Sequence, residues 1–235
     1  WLNYILEFTQ FDNLKLEVST KLNSISGHTL PNPELFPFYG VTFDLPLAFL
    51  ETIFNIDNSK NYFLLRHYFN FLIFFIGSIF FFLILKNRFK DKHIITLGIL
   101  LYLSSPRIFG DSFYNNKDII FLSLITINIF FFFKTIDKLN SKNLFFLSIF
   151  SALTCATRII GIFIPILFIL FFLISKKINK KILIFNTRIL LIYISIFFIF
   201  LILFWPYLWS DPFANLITTL KVFSKYPAEF QMLFN

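Results

Sequence analysis

The sequence predicts an all-α, polytopic transmembrane helical bundle of about six spans, and three observations carry that expectation. Of 235 residues, 57% are hydrophobic and only 14% charged, whereas a soluble domain carries roughly a quarter charged residues. The apolar residues, 39 phenylalanines among them, fall in unbroken runs. Short lysine-rich stretches separate the runs, as topogenic charges do beside membrane spans. A soluble enzyme core and a disordered chain are thereby excluded, and so is a disulfide scaffold, because Cys155 is the single cysteine. His28, His67 and His93 have no ligand spacing, so no metal site is expected from them, no cofactor is assigned, and any divalent-metal requirement is unknown. The net charge of +8 reads as topogenic lysine held at a membrane surface; no nucleic-acid partner is expected.

Residues 1–65 hold seven of the thirteen acids and no run long enough to cross, which makes them a loop domain beside the membrane. Within it Trp1, Tyr4, Phe8 and Phe11 recur at helical spacing, the pattern of an interfacial helix. Pro31, Pro33 and Pro37 then enforce an extended loop. Thr42 or Asp44 is placed to cap a short helix reaching about Phe54, with Pro46 in its first turn. The chain opens on Trp1 with neither methionine nor a signal-like start, so a fragment of a longer protein is expected.

Residues 66–205 form the bundle. Its apolar segments run from about Tyr68 to Leu85, Ile94 to Ser105, Ile119 to Phe133, Leu144 to Thr157, Ile159 to Ile174 and Ile182 to Phe204. The stretch Leu144 to Ile174 as one helix would measure roughly 46 Å against ~30 Å of hydrocarbon, so a turn is expected between Thr157 and Gly161. With that turn, eleven Lys and Arg residues fall on one side (86 to 92, 134 to 142, 176 to 181) and three on the other (Arg107, Lys117, Arg158). Eleven to three places the N-terminal loop and the 206–235 tail on the noncytoplasmic side. The tail opens with Trp205, Tyr207 and Trp209 at the interface and continues as an interfacial helix after Pro212.

Three places concentrate chemistry. The turn SPRIFGDSFYNNKD packs Arg107, Asp111, Asn115, Asn116, Lys117 and Asp118 between two apolar spans, either as a solvated, helix-capping loop or as a polar floor for an anionic or hydroxylated ligand. Arg158, in CATRIIG between apolar segments, needs an anion. A local carboxylate, a lipid headgroup and a phosphate gripped by the guanidinium fork all qualify. Arg66 and His67 open the first span from the same side. Asp44 precedes Glu51 by two helical turns, so the two carboxylates can share a face, although a plain N-cap explains Asp44 as well.

The order of FYGVTFDLPLAFLE, RHYFNFL, SPRIFGDSFYNNKD, ATRIIG and WPYLWSDP resembles membrane glycosyltransferases of the protein-mannosyltransferase-like, type-C fold class. Among these it is most similar to the bacterial branch of lipopolysaccharide-core and aminoarabinose transferases. The likeness covers about residues 35–212. It implies an inverting enzyme of the bacterial inner membrane, cell-envelope facing, that passes a sugar from a polyprenyl-phosphate donor to a hydroxyl of a lipid, glycan or protein. It also implies a base from the first outer loop, a second acid opening a later span and a basic residue at a span end meeting the lipid phosphate. Asp118 and Arg158 fall at the latter two positions, while the family's first-loop acids are expected upstream of Trp1, leaving Asp44 as this chain's own loop acid. Catalysis is therefore assigned to Asp44 and Asp118, and substrate binding to Arg66, His67, Arg107, Asp111, Asn115, Lys117 and Arg158. The competing readings are a transporter or lipid flippase, which expects a polar stripe where the spans carry few such residues, Thr126 and Asn128 in one and Asn186 and Arg188 in another, and a noncatalytic scaffold.

Overall fold

The computed structural model describes residues 38–56, 58–138, 140–178 and 187–224, whose regular elements are all helical with no strand among them. In chain order the helices are α1 (Asp44–Ile53), α2 (Ser59–Arg88), α3 (Lys92–Ser104), α4 (Pro106–Asp111), α5 (Asp118–Asp137), α6 (Ser141–Thr157), α7 (Phe163–Ile178), α8 (Thr187–Phe204) and α9 (Pro212–Ser224). Two short 3-10 turns join α6 to α7 (Ile159–Ile162) and α8 to α9 (Pro206–Trp209). The expected helix over residues 1–11 and the proline loop up to residue 37 lie outside the described residues.

Each expected apolar segment is a helix where it is described, but the six are unequal. By length and composition two can cross a membrane, α2 with 30 residues and α5 with 20. The others are shorter, down to the 13 residues of α3, roughly 20 Å of helix. At roughly 45 Å, α2 is longer than the ~30 Å hydrocarbon layer, long enough to carry Tyr62 near one end and Arg88 at the other outside the apolar stretch between them. Local chemistry sets the boundaries. Asn58, Asp91 and Asn140 accept hydrogen bonds from Lys60 N, His93 N and Lys142 N at 2.9, 2.8 and 3.1 Å, each capping the start of a helix. Ser105 is extended ahead of Pro106, the conformation that a following proline favours.

The turn expected between Thr157 and Gly161 is present. Arg158 is extended, and α7 folds back so that Phe168 and Phe172 pack on Leu144 and Leu147 of α6. The lysine-flanked ends of α6 and α7 therefore share one end of the bundle. Helix α6 is its axis, lying against α5 and α8 with Ser148, Ser151, Ala152, Thr154 and Ala156 all buried. Small side chains let helix backbones approach closely where lipid gives no hydrophobic drive. Asn128 donates to the Ser151 hydroxyl at 3.1 Å and Tyr193 donates to the same oxygen at 2.9 Å. Ser151 thus fastens three helices together, with Asn128 bonding it from α5 and Tyr193 from α8, a role worth about 0.6–2 kcal/mol per bond in such bundles. The outward faces carry Phe75, Ile79, Leu97, Leu101, Leu167 and Ile199 exposed, an apolar belt far larger than a soluble monomer presents.

Helices α2 and α5 touch at Gly77, where a Cβ would lie 2.8 Å from Ser123 Cβ and 2.9 Å from Ser123 Cα. Gly77→Ala must push the two helices apart and should destabilise the protein by about 1–3 kcal/mol, read by thermal unfolding in detergent. Gly110→Ala, which meets nothing within 4 Å, is the silent control.

Trp205 departs from expectation. The 3-10 turn after α8 swings its indole inward against Ala152 and Ala156 of α6, where it is 0% exposed. It is a core residue rather than an interfacial one, and Tyr207 and Trp209 alone of the three reach the surface.

Candidate functional site

One end of the bundle collects the chemistry. Residues 39–44 cross it as a strap, with Gly40 N donating to Ala156 O at 2.7 Å and Val41 N to Phe204 O at 2.9 Å. Gly40 allows this approach, since a Cβ there would sit 2.6 Å from Ala156 Cβ and 2.8 Å from two carbonyl oxygens. The polar turn between α4 and α5 is pinned to α2 by Asn70, a buried side chain that donates to Ser112 O at 2.9 Å and Asp111 O at 3.4 Å. Between strap and turn lies a cleft of about 40 Å³ lined by Tyr39, Thr42, Asp44, Asn116, Lys117 and Thr157. It admits a hydroxyl or a phosphoryl oxygen, not a whole sugar, and so forms the inner corner of a site.

Asp44 does not cap α1, and neither does Thr42; the N-cap is Phe43, without a side-chain bond. Asp44 stands in the first turn with its carboxylate on Arg66, at 2.8 Å from Nη1. Glu51, two turns on, meets Nε of the same guanidinium at 2.9 Å, and Tyr62 covers the cation at 4.5 Å from its ring centroid. The two-turn spacing does put both carboxylates on one face, and Arg66 is what they face. Burial pushes the Glu51 carboxyl above its ordinary value, with the Arg66 charge opposing.

Asp118 opens α5 and pairs with Arg158 Nη2. Arg158 follows the last residue of α6, so the ion pair ties two helix ends together. Asn115 holds Asp118 twice, its amide donating to Oδ2 at 3.0 Å and its oxygen accepting from Asp118 N at 3.0 Å. Arg158 also carries a buried Nε with no hydrogen-bond partner among the described residues. Lys117 stands over the Tyr39 ring at 4.0 Å. Burial lowers the pKa of its ammonium; the Asp44 charge opposes that shift and the nearby Arg158 adds to it.

Of the candidates named from the sequence, Asp44 and Lys117 line the cleft itself, and Arg107, Asp111 and His67 take part in neither ion pair beside it. Arg107 is 91% exposed and 3.8 Å from Asp111, whose carboxylate accepts from Tyr114 at 2.8 Å and so raises the Tyr114 phenol. His67 is exposed beside Phe63. Asn70 and Tyr39 are not singled out by the sequence, which offers Thr42 only as a helix cap and Thr157 only as the start of a turn. Asn70 had a signal, a lone amide within an apolar run, whereas the other three are brought in only by the strap's path. Among the described residues no three His, Cys, Asp or Glu cluster as metal ligands would.

A family model described as dolichyl-phosphate-mannose-protein mannosyltransferase matches residues 47–209, more than two thirds of the chain. No curated protein and no solved structure matches it.

Proposed function

The chain belongs to the dolichyl-phosphate-mannose-protein mannosyltransferase family, a family of membrane glycosyltransferases, and from that premise we propose that it moves a sugar, with inversion, from a polyprenyl-phosphate donor to a hydroxyl acceptor on the noncytoplasmic face. The observation that carries the reading is the Asp118–Arg158 pair, which joins two helix ends and directly follows Lys117 and Thr157, both of which line the cleft together with Asp44. Displacing a phosphate from an anomeric carbon needs a carboxylate to take the proton of the attacking hydroxyl and cations to stabilise the departing phosphate. Asp118, half exposed at the cleft's edge, is the carboxylate we assign to the hydroxyl. Arg158, with its unpartnered Nε, and Lys117 are the cations for the phosphate. Asp44 shapes the cleft from its place on Arg66.

The type-C fold, the kinship with lipopolysaccharide-core and aminoarabinose transferases and a bacterial inner-membrane location belong to the same proposal, as do a glycan, lipid or protein acceptor and the surrounding membrane lipids as partners. Orientation is testable on its own. The geometry supports it by gathering Lys86, Arg88, Lys134, Lys138 and Lys142 at the end opposite the cleft, with Arg88 stacked over Phe133 at 3.9 Å. Reporter fusions after Lys60 and Ser210 should read noncytoplasmic and those after Lys138 and Lys177 cytoplasmic. A noncytoplasmic signal at Lys138 contradicts the orientation.

A further inference from the structure

We propose that the groove between α6 and α8, at the lysine-rich end of the bundle, binds one anionic phospholipid of the adjoining leaflet. The groove measures about 790 Å³ and lies far from the sugar-transfer cleft. Its apolar wall on α8 is Ile189, Ile192 and Ile196, spaced so that all three share one face. They run roughly 10 Å along the helix, from the bundle's end toward the middle of the membrane. On α6 the wall is Phe145 and Phe146, each 42% exposed, and the contact of Phe145 with Phe200 at 6.1 Å closes the far end.

The polar residues of the groove are all at one place, around the first turn of α6, where Lys142 stands at the mouth. That division, a cation at the surface and an apolar trough reaching inward, matches a charged headgroup on an acyl chain. Among the described residues no acid lines the groove and Lys142 is in no ion pair. Charge complementarity therefore selects an anionic headgroup over a zwitterionic one. One lysine in such a position is worth about fivefold in affinity for an anionic headgroup. The site is independent of the transfer reading and needs only that this end of the bundle meets a leaflet.

The test uses the full chain, purified in detergent and titrated with phosphatidylglycerol or with phosphatidylcholine of the same acyl chains, with bound lipid counted by native mass spectrometry. Wild type should retain phosphatidylglycerol about fivefold better. Lys142→Gln should bring the two lipids close to equal retention, and Ile192→Trp, which fills the trough from an exposed position, should lower retention of both. Free glycerol phosphate should not compete, because it lacks the chain that the trough holds. Equal retention of the two lipids by wild type, a phosphatidylglycerol preference that survives Lys142→Gln, or undiminished retention by Ile192→Trp overturns the proposal.

Discussion

Asp118→Asn in the full-length protein should lower the rate of sugar transfer by about 100-fold or more, the lower range expected when a positioned general base is removed. Asparagine keeps the size of the side chain and can still bond Asn115. It cannot accept the hydroxyl's proton or balance the charge on Arg158, so the loss should fall on kcat. Arg158→Ala should act differently. It removes hydrogen bonds to a charged group, each worth about 1.5–3 kcal/mol, so donor use should weaken at least about tenfold and the loss should appear first in KM for the donor. Arg158→Lys should recover only part of this, because a point charge replaces a planar fork. Wild-type rates from well-expressed Asp118→Asn and Arg158→Ala would leave the pair as a helix tie and nothing more.

Arg66→Ala should be the most destabilising single change at the cleft end. It strands two carboxylates, with side chains 34% (Asp44) and 16% (Glu51) exposed. Removing one partner of a buried pair costs about 3–5 kcal/mol, and the partial exposure of Asp44 reduces that to about 2–3 kcal/mol. For a chain of this size the melting temperature should fall by about 5–10 °C. The pH dependence fixes the cause. Glu51 is raised by burial even with Arg66 present; its favourable contribution is therefore complete below the ordinary carboxylate range and is lost as pH rises through the raised value. Without Arg66 nothing opposes burial, so the deficit of Arg66→Ala should be larger at pH 7 than at pH 4. Adding Glu51→Gln to Arg66→Ala should restore part of the loss at pH 7, a non-additivity expected of contacting groups. Thermal unfolding of the detergent-solubilised protein at the two pH values reads both effects.

The one-dimensional features of this fold are legible because they arise from runs and local spacing. Six apolar segments, the turn after Thr157 and the shared face of Asp44 and Glu51 follow from helix geometry and the thickness of a bilayer. What joins those segments does not. The partners of Arg66 lie 15 and 22 positions away in sequence. Arg158 finds Asp118 across a whole helical hairpin, where sequence offers only Asp137, at the hairpin's opposite end. Trp205 reads as an interfacial ring by composition, yet the small residues of α6 open a space that it fills. A cap at Asp44 is locally reasonable too, and it fails because an ion pair with Arg66 outbids a hydrogen bond to a helix amide. Side-chain partners set by tertiary contact, in short, are where local rules give way.

The most direct test of the central reading is a transfer assay on the full-length protein in proteoliposomes, with the same labelled sugar offered either on polyprenyl phosphate or as a nucleotide sugar. The account predicts labelled product from the polyprenyl-phosphate donor, abolished by Asp118→Asn, and none from the nucleotide sugar. Transfer from the nucleotide sugar, or movement of the intact lipid-linked donor across the bilayer with no transfer, would contradict it.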